Sequence, residues 1–433
     1  METTIIKNGR IIDPANNLDT IGDILIVDGV IAKVGVIDDF PSDPVVIDAT
    51  DKIVCPGFID LHTHLREPGR EDKETIKTGT MAAAAGGYTS ICPMGNTSPV
   101  CDSAAVVKFI KTRADIDAIV NVYPMGTVTK NLAGEEIVEF GDLYYAGVKG
   151  FTDDGNPVMN AEIMRRALEY STMFGLPILD HCEDKQLSDE GVMHDGLVST
   201  RIGLKGIPPQ AESIQVARDV DLAAMTGGHI HIQHVSKKAS LCHIRQGKKQ
   251  GVNITAEATP HHLCLTDEKL ADFNTNAKMN PPLGSEEDRQ ALIEALIDGT
   301  IDCIATDHAP HTDIEKDMPI TLAPFGTIGL ETAFPACYTY LVKTSRLSVS
   351  MLIQKMTQAP ADIIKIAPRG SLSLGAPADI TIIDLNKSQL ITKDFFHSKS
   401  SNNCFIGETL CGVITTTLVS GKVVFRRDDP KIT

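Results

Sequence analysis

Two patterns of hydrophobic and polar residues divide the chain. Near its amino end, short alternating segments are separated by Lys7-Asn8-Gly9 and Asp28-Gly29, which are typical hairpin turns. The carboxyl-terminal part has the same pattern, with an apolar run at residues 379–384 and two strands predicted across Ser420-Gly421. Because the ends of a domain often lie close together, we predict one small β-sandwich domain built from residues 1–52 and 366–433.

The central part, residues 53–365, alternates short apolar runs with segments of helical period. Strands that alternate with helices favour a parallel sheet, and eight of them in about 250 residues is the size of a (β/α)8 barrel. The predicted fold is therefore α/β, a TIM-type barrel with a β-sandwich formed by both termini. The predicted barrel strands are 53–61, 88–93, 118–123, 147–152, 177–180, 229–234, 252–256 and 301–306.

Local helix signals support the segments between these strands. Asn160 is a predicted N-cap, followed by an apolar face at residues 163–168 and by Gly175, which ends the helix. Ser285 and Asp288 have the spacing of a capping box ahead of another apolar face.

Composition narrows the possible functions. The 433 residues carry a formal net charge of −17 that is spread along the chain, which argues against nucleic-acid binding. We expect a cytoplasmic protein without membrane contact, because the sequence has no basic start with a long apolar core and no run of about 18 apolar residues. The ten cysteines form no CxxC pair and are predicted to be reduced and buried.

The segment GFIDLHTHLR, residues 57–66, carries the first candidate chemistry. His62 and His64 are two residues apart on a predicted strand, so both side chains lie on one face. Neutral imidazole is a common ligand of divalent metals. Arg66 continues the same spacing and would place a guanidinium suited to a carboxylate beside the metal. The alternative is a pair of buried histidines that serve packing.

Residues that close the other strands favour the metal site. In a (β/α)8 barrel the reactive groups come from the carboxyl ends of different strands. These ends supply His62, His64, Asn96, Asp153 or Asp154, His181, His234 and Asp307. The set exceeds the three protein ligands of one catalytic zinc, and a carboxylate could bridge two metals about 3.5–4 Å apart. Two metals therefore fit better than one.

Asp307 closes the last strand and could combine two tasks. It could ligate a metal, and it could accept a proton from an attacking water and return it to the leaving group. Other polar residues are set aside: His229 and His231 as packing residues, and Cys182 as core. Of His308 and His311, the latter is better placed to reach the site, because Pro310 redirects the chain.

The sequence resembles the amidohydrolase superfamily, and its HxHxREPG form resembles the long, bacterial type I dihydroorotases. The similarity continues through GVKGFTDDG, LDHCED, IQHVS, KMNPPL, ATDHAPH and APFGTIGLET to GSLSLGAPADITIID. It covers nearly the whole chain. The function it implies is the reversible, zinc-dependent cyclisation of N-carbamoyl-L-aspartate to L-dihydroorotate in pyrimidine biosynthesis.

The resemblance also implies roles for individual residues. His62 and His64 would bind the first zinc, His181 and His234 the second, with Asp154 as bridge and Asp307 as ligand and acid/base. The residues implied to contact substrate are His64, Arg66, Asn96, Asn280, His311, Phe325 and Gly326.

Two departures from the superfamily pattern bear on this site. Many members bridge their metals with a carbamylated lysine, for which the candidate is Lys149. We favour Asp154, because strand alternation places Lys149 on the opposite face and the DDG form matches type I. Gly95 separates Pro93-Met94 from Asn96, which loosens the turn that positions Asn96.

Two other functions stay open on sequence grounds. One is a hydantoinase or allantoinase, although a neutral ring would leave the Arg66 charge unpaired, which costs several kcal/mol. The other is a non-catalytic scaffold for aspartate transcarbamoylase, although such a protein should have lost its metal ligands. A homodimer and an association with aspartate transcarbamoylase are also compatible with the resemblance. Residues 312–325 are predicted to be a rim loop that closes over substrate.

Overall fold

The computed structural model describes residues 2–39 and 43–428. Strands from both ends of the chain form one eight-stranded sheet within these residues. In spatial order its strands are Lys422–Arg426, Thr409–Val419, Ile380–Leu390, Ile53–Pro56, Thr3–Asp13, Leu18–Val27 and Val30–Gly35, with Val45–Asp48 paired to Thr3–Asp13.

The terminal sheet encloses a hydrophobic core of its own. Ile6, Ile24, Val54, Ile380 and Leu418 belong to this buried cluster, so amino- and carboxyl-terminal strands contribute to the same core. Burying such side chains stabilises the fold by about 1.5–3 kcal/mol each. The prediction that both termini build one β-rich unit is confirmed.

The central part of the chain forms a closed barrel of parallel strands. Its regular strands are Phe58–Thr63, Tyr88–Pro93, Asn121–Val122, Ile178–Asp180, Ile230–Ile232, Ile254–Ala258 and Cys303–Ile304. Phe151 takes the fourth position through bridges to Gly126 and Ile178, and a bridge between Thr63 and His308 closes the ring. The eight strand positions predicted from sequence are therefore present, most of them shorter than predicted.

Helices connect the strands and cover the barrel. The α-helices are Ile76–Ala85, Ala104–Asp117, Phe140–Ala146, Ala161–Thr172, Lys185–Ser188, Leu197–Ile202, Gln210–Thr226, Lys238–Lys249, Pro260–Cys264, Glu286–Asp298, Asp313–Lys316, Ala333–Cys337, Val349–Met356 and Gln358–Ile363. Short strands Met193–His194 and Gly206–Ile207 pair in a barrel loop. Among the described residues, no helix combines the length and the apolar character needed to cross a bilayer.

The two predicted helix starts are confirmed, whereas the helix that begins after Asn160 ends at Thr172, three residues before the predicted Gly175. The Asn160 side chain accepts hydrogen bonds from the amides of Glu162 and Ile163. Ser285 and Asp288 form the reciprocal capping box. Each of these contacts satisfies backbone N–H groups that the first turn leaves without partners.

The run at residues 53–61 is not a single barrel strand as predicted. Ile53–Pro56 pairs with Thr3–Asp13 and Ile380–Leu390 in the terminal sheet, and Phe58–Thr63 begins the barrel. Gly57 separates the two, and a Cβ there would lie 2.2 Å from the Thr89 side chain. Hydrophobicity did not reveal this division, because both halves are buried.

Candidate active site

A cavity of about 370 Å³ opens at the carboxyl ends of the barrel strands. The predicted site residues that line it are His64, Arg66, Asn96, Asp154, His181, His234, Asn280, Asp307, His311, Phe325 and Gly326. His62 lies fully buried beneath them. A larger cavity of about 600 Å³ at the opposite end of the barrel contains none of these residues. The predicted site residues therefore lie at the end of the barrel where (β/α)8 enzymes carry their active sites.

Asp154 lies at the centre of the four histidines. Its Oδ1 is 3.3 Å from His62 Nε2 and 3.7 Å from both His181 Nδ1 and His234 Nε2. Its Oδ2 is 3.4 Å from His64 Nε2. One carboxylate thus faces imidazole nitrogens from three barrel strands, which is the arrangement expected of a bridging ligand.

Asp307 lies beside His62 and His64. Its Oδ1 is 3.1 Å from His64 Nε2 and 3.5 Å from His62 Nε2. Two overlapping groups can each hold a cation: His62 with His64 and Asp307, and His62 with Asp154 and His234. Burial raises the pKa of Asp307, but His62 and His64 outweigh that effect and lower it to about 2. The carboxylate is therefore ionised at neutral pH.

The donor atoms fit a metal cation. His62 Nε2 and Asp154 Oδ1 are buried and make no hydrogen bond to the described part of the chain. Burial would lower the pKa of His62, but Asp154 and Asp307 raise it well above the usual value. Burial would raise the pKa of Asp154, but His62 and its neighbours hold it far below. The carboxylates thus favour positive charge at this point, which a proton or a metal can supply.

Several histidines are oriented through their second ring nitrogen. His62 Nδ1 lies 2.8 Å from Glu257 Oε1, and His181 Nε2 lies 2.9 Å from Glu183 Oε2. His64 Nδ1 lies 3.0 Å from Asn96 Oδ1. Such outer contacts fix the ring and leave the other nitrogen for the metal.

Glu257 and Glu183 were not identified from sequence. Glu257 lies on the strand Ile254–Ala258, which we predicted to end at residue 256, and Glu183 follows His181 by two residues. Glu257 also lies 3.1 Å from His231 Nε2, which explains the burial of that histidine away from the cavity. The sequence signal that could have identified both residues is their position as polar residues at or just after the end of a barrel strand.

The residues set aside lie outside the cavity. Lys149 is half-buried, with its ammonium 5.9 Å from the Tyr123 ring centroid. Cys182 is buried against Asp180 and Asp219. His308 contacts Glu74, whereas His311 lines the cavity as predicted.

Arg66 lines the cavity, but strand alternation does not place it there. The strand ends at Thr63, and Arg66 has a φ of +60°, so strand alternation does not reach it. Its Nε donates to the carbonyl of Pro310 at 3.3 Å. Within the described residues no carboxylate oxygen lies within 4.0 Å of its guanidinium, whereas the Nζ atom of the nearby Lys73 lies 2.9 Å from Glu315 Oε1. Its charge is available to a ligand.

Two buried lysines hold the second half of the rim loop. Lys278 Nζ donates to the carbonyls of Ile320 and Ala323, both at 2.7 Å, and lies 4.5 Å from the Phe325 ring centroid. Lys316 Nζ donates to the Pro324 carbonyl at 2.9 Å. Burial lowers the pKa of Lys278 to about 8 and, together with Lys278, that of Lys316 to about 7. The loop is tied to the barrel close to the cavity.

Gly326 is the point where this loop touches the segment that follows Asp307. It has a φ of +132°, and a Cβ there would lie 2.8 Å from Ala309 Cβ and 3.0 Å from His311 Nε2. We expect Gly326→Ala to lower kcat/KM at least about tenfold, because a 1 Å displacement of substrate-positioning groups can cost about 100-fold. Steady-state kinetics and the melting temperature measure the two effects separately.

Gly375→Ala is the matched control for that substitution. Gly375 also has a positive φ, of +81°, but a Cβ there meets no atom within 4 Å. Both variants carry backbone strain, whereas only Gly326→Ala crowds the cavity. Equal losses of activity in the two variants would contradict the prediction.

Comparisons with known proteins agree with this geometry. Residues 51–240 match the family described as Dihydro-orotase-like. A dihydroorotase of Acetivibrio thermocellus is 50% identical over 422 residues, which cover 98% of this chain and 99% of that protein. A dihydroorotase of Pelotomaculum thermopropionicum is 50% identical over 422 residues, covering 98% of each. The solved L-hydantoinase (dihydropyrimidinase) of Arthrobacter aurescens superposes with a TM-score of 0.89 at 26% identity, covering 99% of this chain and 97% of that one.

The barrel, the terminal sheet and the cluster of histidines and carboxylates define a cyclic amide hydrolase with the ligands for a metal cofactor. The 50% sequence identity to the two dihydroorotases, over nearly the full chain, narrows this class of enzymes to one family. The chain belongs to the dihydroorotase family.

Proposed function

We propose that the protein interconverts N-carbamoyl-L-aspartate and L-dihydroorotate, the ring-closing step of pyrimidine biosynthesis, with two zinc ions. The observation that carries this substrate choice is the Arg66 guanidinium, which lines the cavity beside the histidine centre and has no carboxylate partner among the described residues. Both substrates carry a carboxylate that can pair with it. Charge-assisted contacts of this kind are about twice as strong as neutral ones.

The proposed chemistry divides between the cofactor and the chain. Two divalent cations would polarise the ring carbonyl and make a water acidic enough to lose its proton near neutral pH. His62, His64, His181 and His234 would hold them with Asp154 as the shared ligand. The Asp307 carboxylate would accept the proton of the attacking water and deliver it to the departing ring nitrogen.

The remaining cavity residues would position the substrate. We propose that Arg66, Asn96 and Asn280 bind its carboxylate, with His64 lying alongside. His311 and the backbone at Phe325 and Gly326 would contact the ring. The Nε2 atom of His311 lies 2.8 Å from the Phe325 carbonyl, which keeps these last groups on one wall.

The hydantoinase alternative has one observation in its favour, the structural similarity to the Arthrobacter aurescens enzyme. A neutral hydantoin ring would leave the Arg66 charge without a partner. Enclosing this half-buried guanidinium under a neutral ring is unfavourable, because the charge loses water without gaining a partner. Dihydroorotate turnover is therefore the better supported activity.

The same proposal covers the metal, the cellular location, the assembly and the domain division. We propose zinc as the metal, a cytoplasmic location, and a homodimer that can associate with aspartate transcarbamoylase. We also propose the division into a barrel of residues 53–365 and a β-sandwich of residues 1–52 and 366–433, with residues 53–56 transferred to the sandwich because they pair in the terminal sheet.

The test compares substrates in one preparation of known metal content. Hydrolysis of dihydroorotate, hydantoin and allantoin is measured alongside metal analysis by mass spectrometry. We expect turnover of dihydroorotate with zinc bound. If the protein hydrolyses hydantoin but not dihydroorotate, the hydantoinase alternative is favoured. If it binds no metal and hydrolyses none of the three compounds, a non-catalytic scaffold is favoured.

The bridging role of Asp154 gives a separate prediction. Asp154→Asn keeps the side-chain shape but removes the negative charge shared by the histidine centre. Outer contacts alone contribute about 10–100-fold to metal affinity, so loss of this direct ligand should cost about 100-fold or more. Equilibrium competition with a chromophoric chelator measures the change.

The neighbouring Asp153 provides the control. It accepts hydrogen bonds from the amides of Val128 and Thr129 and lies outside the cavity. Asp153→Asn should therefore lower stability while leaving metal affinity close to that of the parent. A similar loss of metal in both variants would argue against the bridge.

A further inference from the structure

Asn402 connects two walls of the cavity without lining it. It comes from the segment between the strands Ile380–Leu390 and Thr409–Val419, far along the chain from the barrel strands. The side chain is buried, with 2% of its surface exposed. Neither the family motifs nor the strand-end pattern points to this residue.

Every hydrogen-bonding group of the Asn402 side chain is used on these walls. Its Oδ1 accepts the backbone N–H of His311 at 3.0 Å. Its Nδ2 donates to the carbonyl of Ala309 at 3.0 Å and to that of Gly326 at 3.2 Å. Ala309, His311 and Gly326 all line the cavity. One amide therefore joins the segment after Asp307 to the end of the rim loop.

The backbone of Asn402 extends the same connection. Its carbonyl accepts the amide of Ile328 at 2.9 Å and the hydroxyl of Thr327 at 3.1 Å. Asn402 thus holds the chain that follows the rim loop at Gly326, Thr327 and Ile328. Because buried backbone groups must keep partners, removing the amide leaves two carbonyls and one N–H unsatisfied at the cavity wall.

We infer that Asn402 is a positioning residue that sets the distance between His311 and the Phe325-Gly326 backbone, and so determines how tightly the substrate ring is held. This inference rests on the proposed function. It predicts an effect on substrate binding that is separable from folding and from metal binding, because the hydrogen bonds of the Asn402 side chain go to Ala309, His311 and Gly326 and to none of the proposed metal ligands.

Asn403 is a matched control next to it in sequence. It is equally buried, with 1% exposed, and also uses its whole side chain: Nδ2 donates to the carbonyl of Ile328 and to Thr332 Oγ1, and Oδ1 accepts the amide of Phe405. None of these partners lines the cavity. Its replacement removes a similar set of buried hydrogen bonds at a site without substrate contacts.

The experiment compares Asn402→Ala, Asn402→Asp and Asn403→Ala for KM, kcat, zinc content and melting temperature. We expect both Asn402 variants to raise the KM for dihydroorotate by about 10- to 100-fold, with zinc content unchanged. The aspartate keeps the shape but turns an acceptor toward two carbonyls, so it should not rescue binding. Asn403→Ala should lower the melting temperature and leave KM within about twofold of the parent.

Three results would overturn the inference. They are an unchanged KM in both Asn402 variants, an equal rise of KM in Asn403→Ala, and failure of both Asn402 variants to fold, since the inference requires a selective effect. A parent protein that binds zinc but does not turn over dihydroorotate would instead refute the proposed function, so the two failures are distinguishable.

Discussion

Asp307→Asn is expected to lower kcat for dihydroorotate hydrolysis by about 10²–10⁴-fold, the usual contribution of a positioned acid/base. The amide keeps the shape of the carboxylate but cannot take a proton. Asp307 lies 3.1 Å from His64 Nε2 on the cavity wall, where an attacking water and a leaving nitrogen must both be reached. Kinetics at saturating zinc separate this loss from weaker metal binding.

Asp302→Asn is the control for that substitution. Asp302 lies just before the same barrel strand, Cys303–Ile304, at the opposite end of the barrel, where it accepts the Ala256 amide and contacts Lys248. Its replacement should affect stability more than turnover. A variant at Asp307 that retains full zinc and more than about a tenth of the parent kcat would refute the acid/base role.

Arg66→Met should reverse the preference for an anionic substrate. Removing one partner of a buried charge pair costs about 2–5 kcal/mol, or about 30-fold to several-thousand-fold in kcat/KM for dihydroorotate. The kcat/KM for dihydrouracil, which has the same ring without the carboxylate, should fall far less. The measurement is the ratio of the two kcat/KM values in parent and variant.

Arg70→Met tests whether any nearby positive charge would suffice. Arg70 follows Arg66 by four residues but pairs with Asp72 and Glu315 at the surface, outside the cavity. We expect its loss to leave the substrate ratio unchanged. An equal fall for dihydroorotate and dihydrouracil in Arg66→Met would show that the guanidinium acts on the fold and not on the carboxylate.

The fold was largely predictable because its signals are local. Alternating apolar runs and helical segments indicated eight barrel strands, and all eight positions are occupied. Capping residues such as Asn160 and Ser285 gave helix starts correctly. Strand lengths were overestimated, because hydrophobicity reports burial and does not report which backbone groups pair.

The candidate site was predictable where each residue closes its own strand. Five strand ends supply His62 with His64, Asp154, His181, His234 and Asp307, and the structure brings these residues together. Arg66 was identified although the parity argument for it fails beyond Thr63. Their catalytic and ligand roles stay predictions.

The residues that we did not identify from sequence contact partners that are far away along the chain. Glu257 contacts His62 from a strand 195 positions away, and Asn402 contacts His311 across 91 positions. Glu257 lies at the end of a barrel strand, which marks it as a candidate but does not identify its partner, and no local pattern marks Asn402, because the partners of both are set by tertiary packing. A sequence alone can place candidates on a rim but does not say which distant side chain supports each one.

The short passage through Gly57 has a consequence for how this protein can be engineered. Ile53–Pro56 is shared by the terminal sheet, and one residue later the same chain becomes the strand that carries His62. No linker exists there at which the barrel could be excised. The terminal sheet thus fixes the start of the strand that carries His62, and we expect exchanges between relatives to preserve the site only when the sheet and the barrel are exchanged together.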